Sequence, residues 1–423
     1  MATGLDIDSA QALDSDDELG EFRDAFEFPR RPDGEPWVYF CGHSLGLMPR
    51  AARGAVAAEL DRWSELGAAG HFDAESGWYS IHERFSAPLA NLLGAEPEEV
   101  VAMNSLTVNL HLMLVSFFEP DGKRCRMLIE RDAFPSDRYA VQSQLRWHGL
   151  DPDRDLIEIG GGGKGLDADT LDAALREAAG TVALVLLPGL QYLSGAAVDL
   201  AACAEVARSH GCRIGFDLAH AIGNLDIDLR ATDPDFAIWC SYKYLNAGPG
   251  AIGGCFVNRR WVRDPARPRL EGWWGHDKSR RFESAPQFSA IASAEAWQLS
   301  NPPVLAMAPL VPSLEIFGRA GIGRLRKKSI ALTGFLEALL EQECGRSLEQ
   351  LTPTDPAARG AQLSLRIGRS ADACRKVVAE LLQKGVCLDW RAPDIVRIAP
   401  VPLYNSFADV HAGVRLLRQA LGD

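Results

Sequence analysis

The stretch TVALVLLP, residues 181–188, is apolar without interruption over the length of a strand and stops at Pro188. A strand with one wet face alternates polar and apolar residues. One that is apolar throughout is covered on both faces, as in a parallel sheet sandwiched between helices. Other short runs share this character: RMLIE (126–130), RIGFD (213–217), DFAIWC (235–240) and AIGGCFV (251–257). Between them lie helical runs such as LDAALREAA and DLAACAEVARSHG, the second closed by Gly211. Strands alternating with helices predict an α/β fold built on a large, doubly wound, mainly parallel sheet.

The rest of the chain is read around that sheet. Residues 1–36 are polar with scattered Pro and Gly, and are expected to form a loose arm settling on the body. A short strand and a Gly-bounded turn follow in 37–50, a helix over 51–66 ending at Gly67, a loop at 70–78 and a helix from about Ser80 to Leu93. Residues 151–165 read as a polar, Gly-rich surface turn. The aromatic, Arg-rich segment 269–282 reads as a loop suited to an interface, followed by a helix that ends at SNPP. A long helical stretch over 313–342, broken near Gly321 and Gly323, leads to a smaller α/β unit: strand AQLSLRIG, helix 372–383, strands VCLDW and IVRIAPV, and helix 407–421.

Acidic residues outnumber basic ones, 57 to 44, for a net charge of −13, which disfavours nucleic acid or an anionic membrane as the main partner. No apolar run approaches the ~18 residues of a membrane span. Asp6, Asp8, Asp14, Asp16, Asp17 and Glu18 precede the first arginine, Arg23, opposite to a secretory or mitochondrial leader. Nine scattered cysteines without a C-x-x-C spacing predict reduced thiols in a cytoplasmic protein, with no disulfide framework and no metal site.

The chemistry gathers at SYKYLNAGPG, residues 241–250. Lys243 lies just past the buried DFAIWC run and ahead of a Gly-rich loop; upstream, RIGFDLAHAIGN carries Asp217 at a strand end and His220 three residues on. A lysine so placed suits an amine that must reach a cofactor aldehyde and swing away. A carboxylate on a nearby strand end suits a pyridinium nitrogen. The pair predicts pyridoxal 5'-phosphate (PLP), with Lys243 for the Schiff base and Asp217 at the ring nitrogen. MNSLTVNLHLML (103–114) offers Asn104 or Ser105 as helix caps, free first-turn N–H groups suited to a phosphate, and the Thr107 hydroxyl. Phe134 follows RMLIE at the ligand side of such a sheet and can stack on a flat ring. In IVRIA, Arg397 alternates away from Val396 and Ile398 and can fork onto a carboxylate. GGGGKG (160–165) lacks the Ser/Thr and the strand-to-helix setting of a phosphate loop. Taken singly, each residue has a plain structural role: a solvated lysine, a capping Asp, a core Phe, a surface ion pair. The combination carries the inference.

SLGLMPR, NSLTVNLHLML, AFPSDRYA, FDLAHAIGN, WCSYKYLNAG, GWWGH, SNPP and RIAPVPLYNSF together give the chain a resemblance to the kynureninase family, PLP enzymes of the aspartate-aminotransferase type I fold, from about residue 37 to 415. The resemblance implies hydrolytic Cβ–Cγ cleavage of kynurenine or 3-hydroxykynurenine to anthranilate or its hydroxy form plus L-alanine, in tryptophan and kynurenine metabolism. It implies Lys243 and Asp217 as above, Tyr242 for proton delivery, and His220 close to the cofactor. Phe134 would stack on the ring with Pro135, Ser136 and Asp137 around it. Leu106, Thr107, Tyr242, Asn301 and Trp273 would add cofactor contacts, Trp273 from the neighbouring subunit of a homodimer. Arg397 would take the substrate α-carboxylate, and Ser44, His71, Ser300 and Asn301 would line the aromatic pocket, His71 and Asn301 favouring the 3-hydroxy substrate. It also implies a division into an N-terminal arm that joins the small domain (1–60), a large PLP-binding domain (61–305) and a small C-terminal domain (306–423). Two departures stand beside the site: Pro188, where a hydroxyl residue is common, and His43, where Asn is common. The alternatives are another type I PLP enzyme, such as a cysteine desulfurase or an aminotransferase, and a non-catalytic PLP-fold binding protein. A desulfurase needs a mobile cysteine, and no cysteine here lies in a Gly/Ser-rich loop.

Overall fold

In the computed structural model of the chain, which describes residues 4–73, 77–161, 165–284, 287–368 and 370–422, Val182–Pro188 lies inside a seven-stranded sheet. From one edge the order is Val100–Ala102, Gly253–Val257, Phe236–Cys240, Arg213–Asp217, Val182–Pro188, Arg126–Glu130 and Leu156–Ile159. Every strand is parallel to the rest except Gly253–Val257, antiparallel to both its neighbours. Successive residues of the uninterrupted run go to opposite sides, as period 2 requires. Leu184 and Leu186 pack into the core of one face, Val185 and Leu187 into that of the other, all nearly inaccessible. Each such side chain contributes about 1.5–3 kcal/mol of burial, which is why this strand tolerates no polar residue before its end.

A second sheet, Glu349–Gln350, Leu363–Arg366, Ile395–Ile398 and Asp389–Arg391 in that order, is covered by helices Ile322–Cys344, Ala371–Gln383 and Phe407–Leu421. Ala10 and Phe40 from the start of the chain lie in this same core. The strand Val38–Tyr39 pairs in parallel with Val386–Cys387. The long helical stretch breaks at Gly321, where the chain bends by 81°. No single helix among the described residues is long and apolar enough to cross a membrane.

Five expectations are corrected. The arm is not loose: Asp6 caps a helix over Ile7–Ser15 by accepting from the Ser9 N–H (2.8 Å), and Asp14 accepts from the amides of Phe407 and Ala408 at the start of the last helix. The surface turn at 151–165 contains the edge strand Leu156–Ile159; only Ile159 in it is fully buried, so its pattern carries little signal. Gly162, Gly163 and Lys164 of GGGGKG lie outside the described residues, as do 74–76 of the 70–78 loop. Among its described residues the segment before SNPP holds no α-helix, only irregular chain with one 3-10 turn, Ala294–Trp297. Tertiary contacts override its helix-forming composition, with the Trp297 indole donating to Ser116 Oγ (2.8 Å). VCLDW splits at Leu388, its first half pairing with the arm and its second with Ile395–Ile398. The helix beginning near Ser80 opens as a 3-10 turn, Ile81–Phe85, before Ser86–Leu93.

Candidate active site

Strand order reverses at Arg126–Glu130: the next strand in the chain lies on its outer side, the one after that on its inner side. Such a reversal opens a crevice at the carboxyl ends of the strands. Here it holds about 700 Å³ of empty space bordered by Leu106, Thr107, Phe134, Ser136, Asp137, Pro188, Asp217, His220, Tyr242 and Lys243. The strand ends thus deliver each group: Phe134 and Asp137 after Arg126–Glu130, Asp217 as the last residue of its strand, and Lys243 three residues beyond Cys240.

Lys243 Nζ lies 3.0 Å from His220 Nε2 and 5.8 Å from the centre of the Phe134 ring. Burial, reinforced by the Lys243 charge, holds the His220 imidazole well below the usual histidine range, so it faces the ammonium as a neutral acceptor. Asp217 is nearly buried, and its Oδ1 accepts from the Ala219 N–H (2.7 Å). Beside it, Asp137 is pushed well above the ordinary carboxylate range by burial, by the Asp217 charge and by a hydrogen bond to Asp217. Two adjacent carboxylates cannot both ionise cheaply, so Asp137 is the one that holds its proton. Burial also raises the Tyr242 phenol, which stays protonated.

The helix Leu106–Phe117 also starts at the cleft. Its N-cap residue Ser105 makes no side-chain capping bond, and the Asn104 amide turns instead to Asn109 Oδ1 (3.0 Å). Thr107 Oγ1 and Ser136 Oγ lie 2.8 Å apart at this end. An uncapped helix start with two hydroxyls suits a phosphate dianion. The same cleft holds an acid pair suited to a basic nitrogen, the Phe134 ring and the Lys243 amine. His220 Nδ1 and Asp137 Oδ1 are buried without partners. This donor set, anion seat, flat aromatic wall, amine and carboxylate, fits PLP.

Arg397 is buried at 1% exposure rather than open, because strand Ile395–Ile398 is covered on both sides. Its guanidinium donates to the Tyr192 carbonyl (2.7 Å) and to the carboxylate of Asp389, its cross-strand partner. Asp389 Oδ2 also lies 3.1 Å from Arg391 and 3.4 Å from the buried His43 Nε2. Burial lowers Arg397 to about 10, still charged at neutral pH. Tyr192, whose carbonyl Arg397 holds, packs its ring edge-on against Phe134 (5.3 Å), linking this cluster to the cleft.

The remaining expected residues lie elsewhere in the single chain. Pro135 is the first residue of the helix Pro135–Trp147 and does not border the cleft. Ser44 is exposed two residues before Gly46, whose N–H donates to the Tyr242 carbonyl (2.9 Å). A Cβ on Gly46 would overlap the Lys243 carbonyl oxygen, so only glycine lets the arm lie against the lysine loop. His71 packs edge-on against Trp78 (5.4 Å) in a separate hollow with Glu59, Trp63 and Leu305. Ser300 and Asn301 are exposed. Trp273 is 45% exposed, with Phe72 and Phe282 still more so nearby, and its indole donates to the Arg281 carbonyl (2.8 Å). Sequence reasoning missed Glu130, Tyr192 and Asp389. Glu130 borders the cleft, raised by burial to about 7; an acid ending an apolar strand was the same signal as Asp217. Asp389 was visible as the acid two residues before an arginine on one of two adjacent strands.

A family model described as the kynureninase C-terminal domain matches residues 325–417. Curated proteins named kynureninase are similar over nearly the whole chain. That of Xanthomonas campestris pv. campestris (strain B100) is 51% identical over 413 residues, 97% of both chains. That of Koribacter versatilis (strain Ellin345) is 49% identical over 406 residues, 95% of both. Among solved structures, the apo cysteine desulfurase of Thermococcus onnurineus NA1 superposes with a TM-score of 0.74 at 17% identity, covering 91% of this chain and 95% of its own. A C-DES mutant with glycine covalently linked to the PLP cofactor gives 0.76 at 19%, covering 90% and 96%. At such identities these two share the fold alone, which is that of type I PLP-dependent enzymes.

Proposed function

Because the chain belongs to the kynureninase family, whose members are PLP-dependent hydrolases of carbon–carbon bonds, we propose that the cleft around Lys243 is where it works. The reaction is hydrolysis of the Cβ–Cγ bond of L-kynurenine or 3-hydroxy-L-kynurenine. One water is added across the bond: its hydroxyl ends on the aryl carbonyl carbon, giving anthranilate or 3-hydroxyanthranilate, and its hydrogen ends on Cβ, giving L-alanine. The observation that carries the assignment of the site is the Lys243 amine between the Phe134 ring and His220, with the Asp217–Asp137 pair in the same cleft.

When bound, PLP supplies an electron sink for the charge that leaves the substrate Cα. Lys243 would tether the cofactor, and its amine would move the proton at the substrate Cα. His220 Nε2 accepts from the Lys243 ammonium and steadies it between these tasks. Asp217 would face the ring nitrogen, and Asp137, itself protonated, would keep it aimed. Leu106, Thr107 and Ser136 seat the phosphate. Tyr242, protonated at neutral pH, donates the proton that Cβ needs. Pro135 sets the turn that brings Ser136 and Asp137 to the cofactor.

We assign Arg397 to the substrate α-carboxylate. Asp389 then occupies that seat in the absence of substrate, and binding exchanges one carboxylate for another. Asp389→Asn is expected to lower the melting temperature of the substrate-free enzyme, because a buried guanidinium loses its counter-ion. It is expected to lower KM about five-fold, ~1 kcal/mol, because the substrate now restores that charge pair. A KM that rises instead would remove Asp389 from this role.

The active unit is a homodimer in this proposal. Trp273, His71, Ser300 and Asn301 stand apart from the cleft in one chain, and Trp273 belongs to an exposed aromatic cluster with Phe72 and Phe282. Two-fold association would bring these residues to the partner's cofactor and to the aromatic end of its substrate, with Ser44 at the same mouth. We assign the enzyme to the cytoplasm, in keeping with nine scattered cysteines that show no C-x-x-C spacing. For domains, we divide the chain into an arm (1–60), a large domain (61–305) and a C-terminal domain (306–423).

The test is to supply PLP and each substrate to the purified protein and quantify alanine and the aromatic amine. Equimolar release of both is expected, with higher kcat/KM for the 3-hydroxy substrate. Amino-group transfer or sulfide release in place of alanine would overturn the assignment.

A further inference from the structure

Cys41 and Cys387 come from opposite ends of the chain and meet with their sulfur atoms 3.5 Å apart. The contact is built by the parallel pairing of Val38–Tyr39 with Val386–Cys387, continued by the Phe40 N–H donating to the Cys387 carbonyl (2.8 Å). Tyr39 and Cys41 share one face of the arm, so Cys41 reaches toward the residue that pairs with Tyr39. The two thiols are not equivalent. Cys41 is buried, whereas Cys387 is partly open to solvent. The hydrogen bond between them holds the Cys387 thiol below the ordinary cysteine range and, with burial, pushes Cys41 well above it. A partly exposed thiol in contact with a shielded one is the arrangement in which the first attacks, on losing its proton, and the second resolves.

We propose that Cys41 and Cys387 are a reversible dithiol–disulfide site, oxidised by hydroperoxides, that controls access to the Arg397 cluster. The Cys387 thiolate attacks the terminal peroxide oxygen. The O–O bond breaks, the alcohol leaves with a proton, and Cys387 becomes a sulfenic acid. Cys41 sulfur then bonds Cys387 sulfur, and the sulfenic hydroxyl leaves with the Cys41 proton as water. Two thiols have lost two electrons and two protons to the peroxide. A thiol reductant reverses the change by exchange.

The position gives the site its consequence. Cys41 is two residues before His43, and Cys387 two before Asp389, which holds Arg397. A bond between the sulfurs ties the arm to the C-terminal sheet at the edge where Asp389 must yield its seat. This kinetic half rests on the assignment of Arg397 to the substrate carboxylate; the covalent half does not.

The PLP-loaded enzyme is treated with tert-butyl hydroperoxide, alkylated, and mapped as peptides without reduction. The expected product is a cross-linked pair containing residues 41 and 387, two hydrogens lighter than the reduced peptides, reversed by dithiothreitol and absent from Cys387→Ala. KM is expected to rise at least five-fold with a smaller change in kcat, and Cys387→Ala to show no such response. Recovery of Cys41 as the alkylated thiol, with Cys387 alkylated or over-oxidised alone, overturns the proposal on the wild-type chain without need of a variant. A cross-link that leaves KM unchanged overturns the kinetic half, while the assignment of Arg397 is judged separately by Arg397→Lys, whose KM rises without oxidant if that assignment holds.

Discussion

Lys243→Ala is expected to lower kcat/KM about 10⁴-fold, the upper end of what removal of a positioned proton-transfer group costs, since the same amine also tethers the cofactor. Among the described residues it is the only lysine bordering the cleft, and His220, its partner at 3.0 Å, is neutral and short of reach as a substitute nucleophile. The variant should fold normally, because the Lys243 amine supports no element of the core. Borohydride reduction separates a missing tether from a misfolded site. Wild-type protein reduced with PLP bound should carry the cofactor's mass on the peptide containing residue 243, and the variant should carry none. Labelling of a different lysine, or activity within ten-fold of wild type, would move the catalytic amine elsewhere.

Asp217→Asn has the second largest expected effect, a fall in kcat of about 10²–10³-fold, as expected for loss of the charge that keeps an electron sink protonated. Its size should depend on Asp137. In the wild type the Asp217 charge helps hold Asp137 protonated. With Asn at 217 that repulsion is gone, the Asp137 carboxyl ionises more readily, and it becomes a poorly aimed replacement. Asp137→Asn alone should cost less, about ten-fold, because an amide still donates to Asp217. The double variant should lose far more than the product of the two single losses, the signature of one acid standing in for the other. Additive losses would show that the two acids work independently.

The centre of the site was legible because strand ends are where burial and chemistry coincide. Asp217, Lys243 and Phe134 each interrupt or follow an apolar run, and that interruption costs burial unless the residue has another task. The helix at Leu106 was legible from its cap candidates, although Ser105 stands at the cap without bonding as one. What sequence could not give was pairing across distance. Asp389 and Arg397 face each other through the register of two strands that a single chain does not announce, and VCLDW reads as one strand until the arm claims half of it. The irregular segment before SNPP misled for the opposite reason, since its local preference is helical and its contacts are not. Trp273, His71, Ser300 and Asn301 were found only through family resemblance; within one chain their setting is aromatic packing or open surface.

The glycine at 46 bears on the order in which the enzyme becomes competent during synthesis. All seven strands of the large sheet have been synthesised by residue 257, and the lysine loop with them. The stretch that braces this loop was made long before, yet the strand Val38–Tyr39 that leads into it has no ladder to join until residues 386 and 387 appear. The scaffold for the chemistry is therefore finished early and its alignment late. The first and last parts of the message jointly fix the bearing of an amine encoded in the middle.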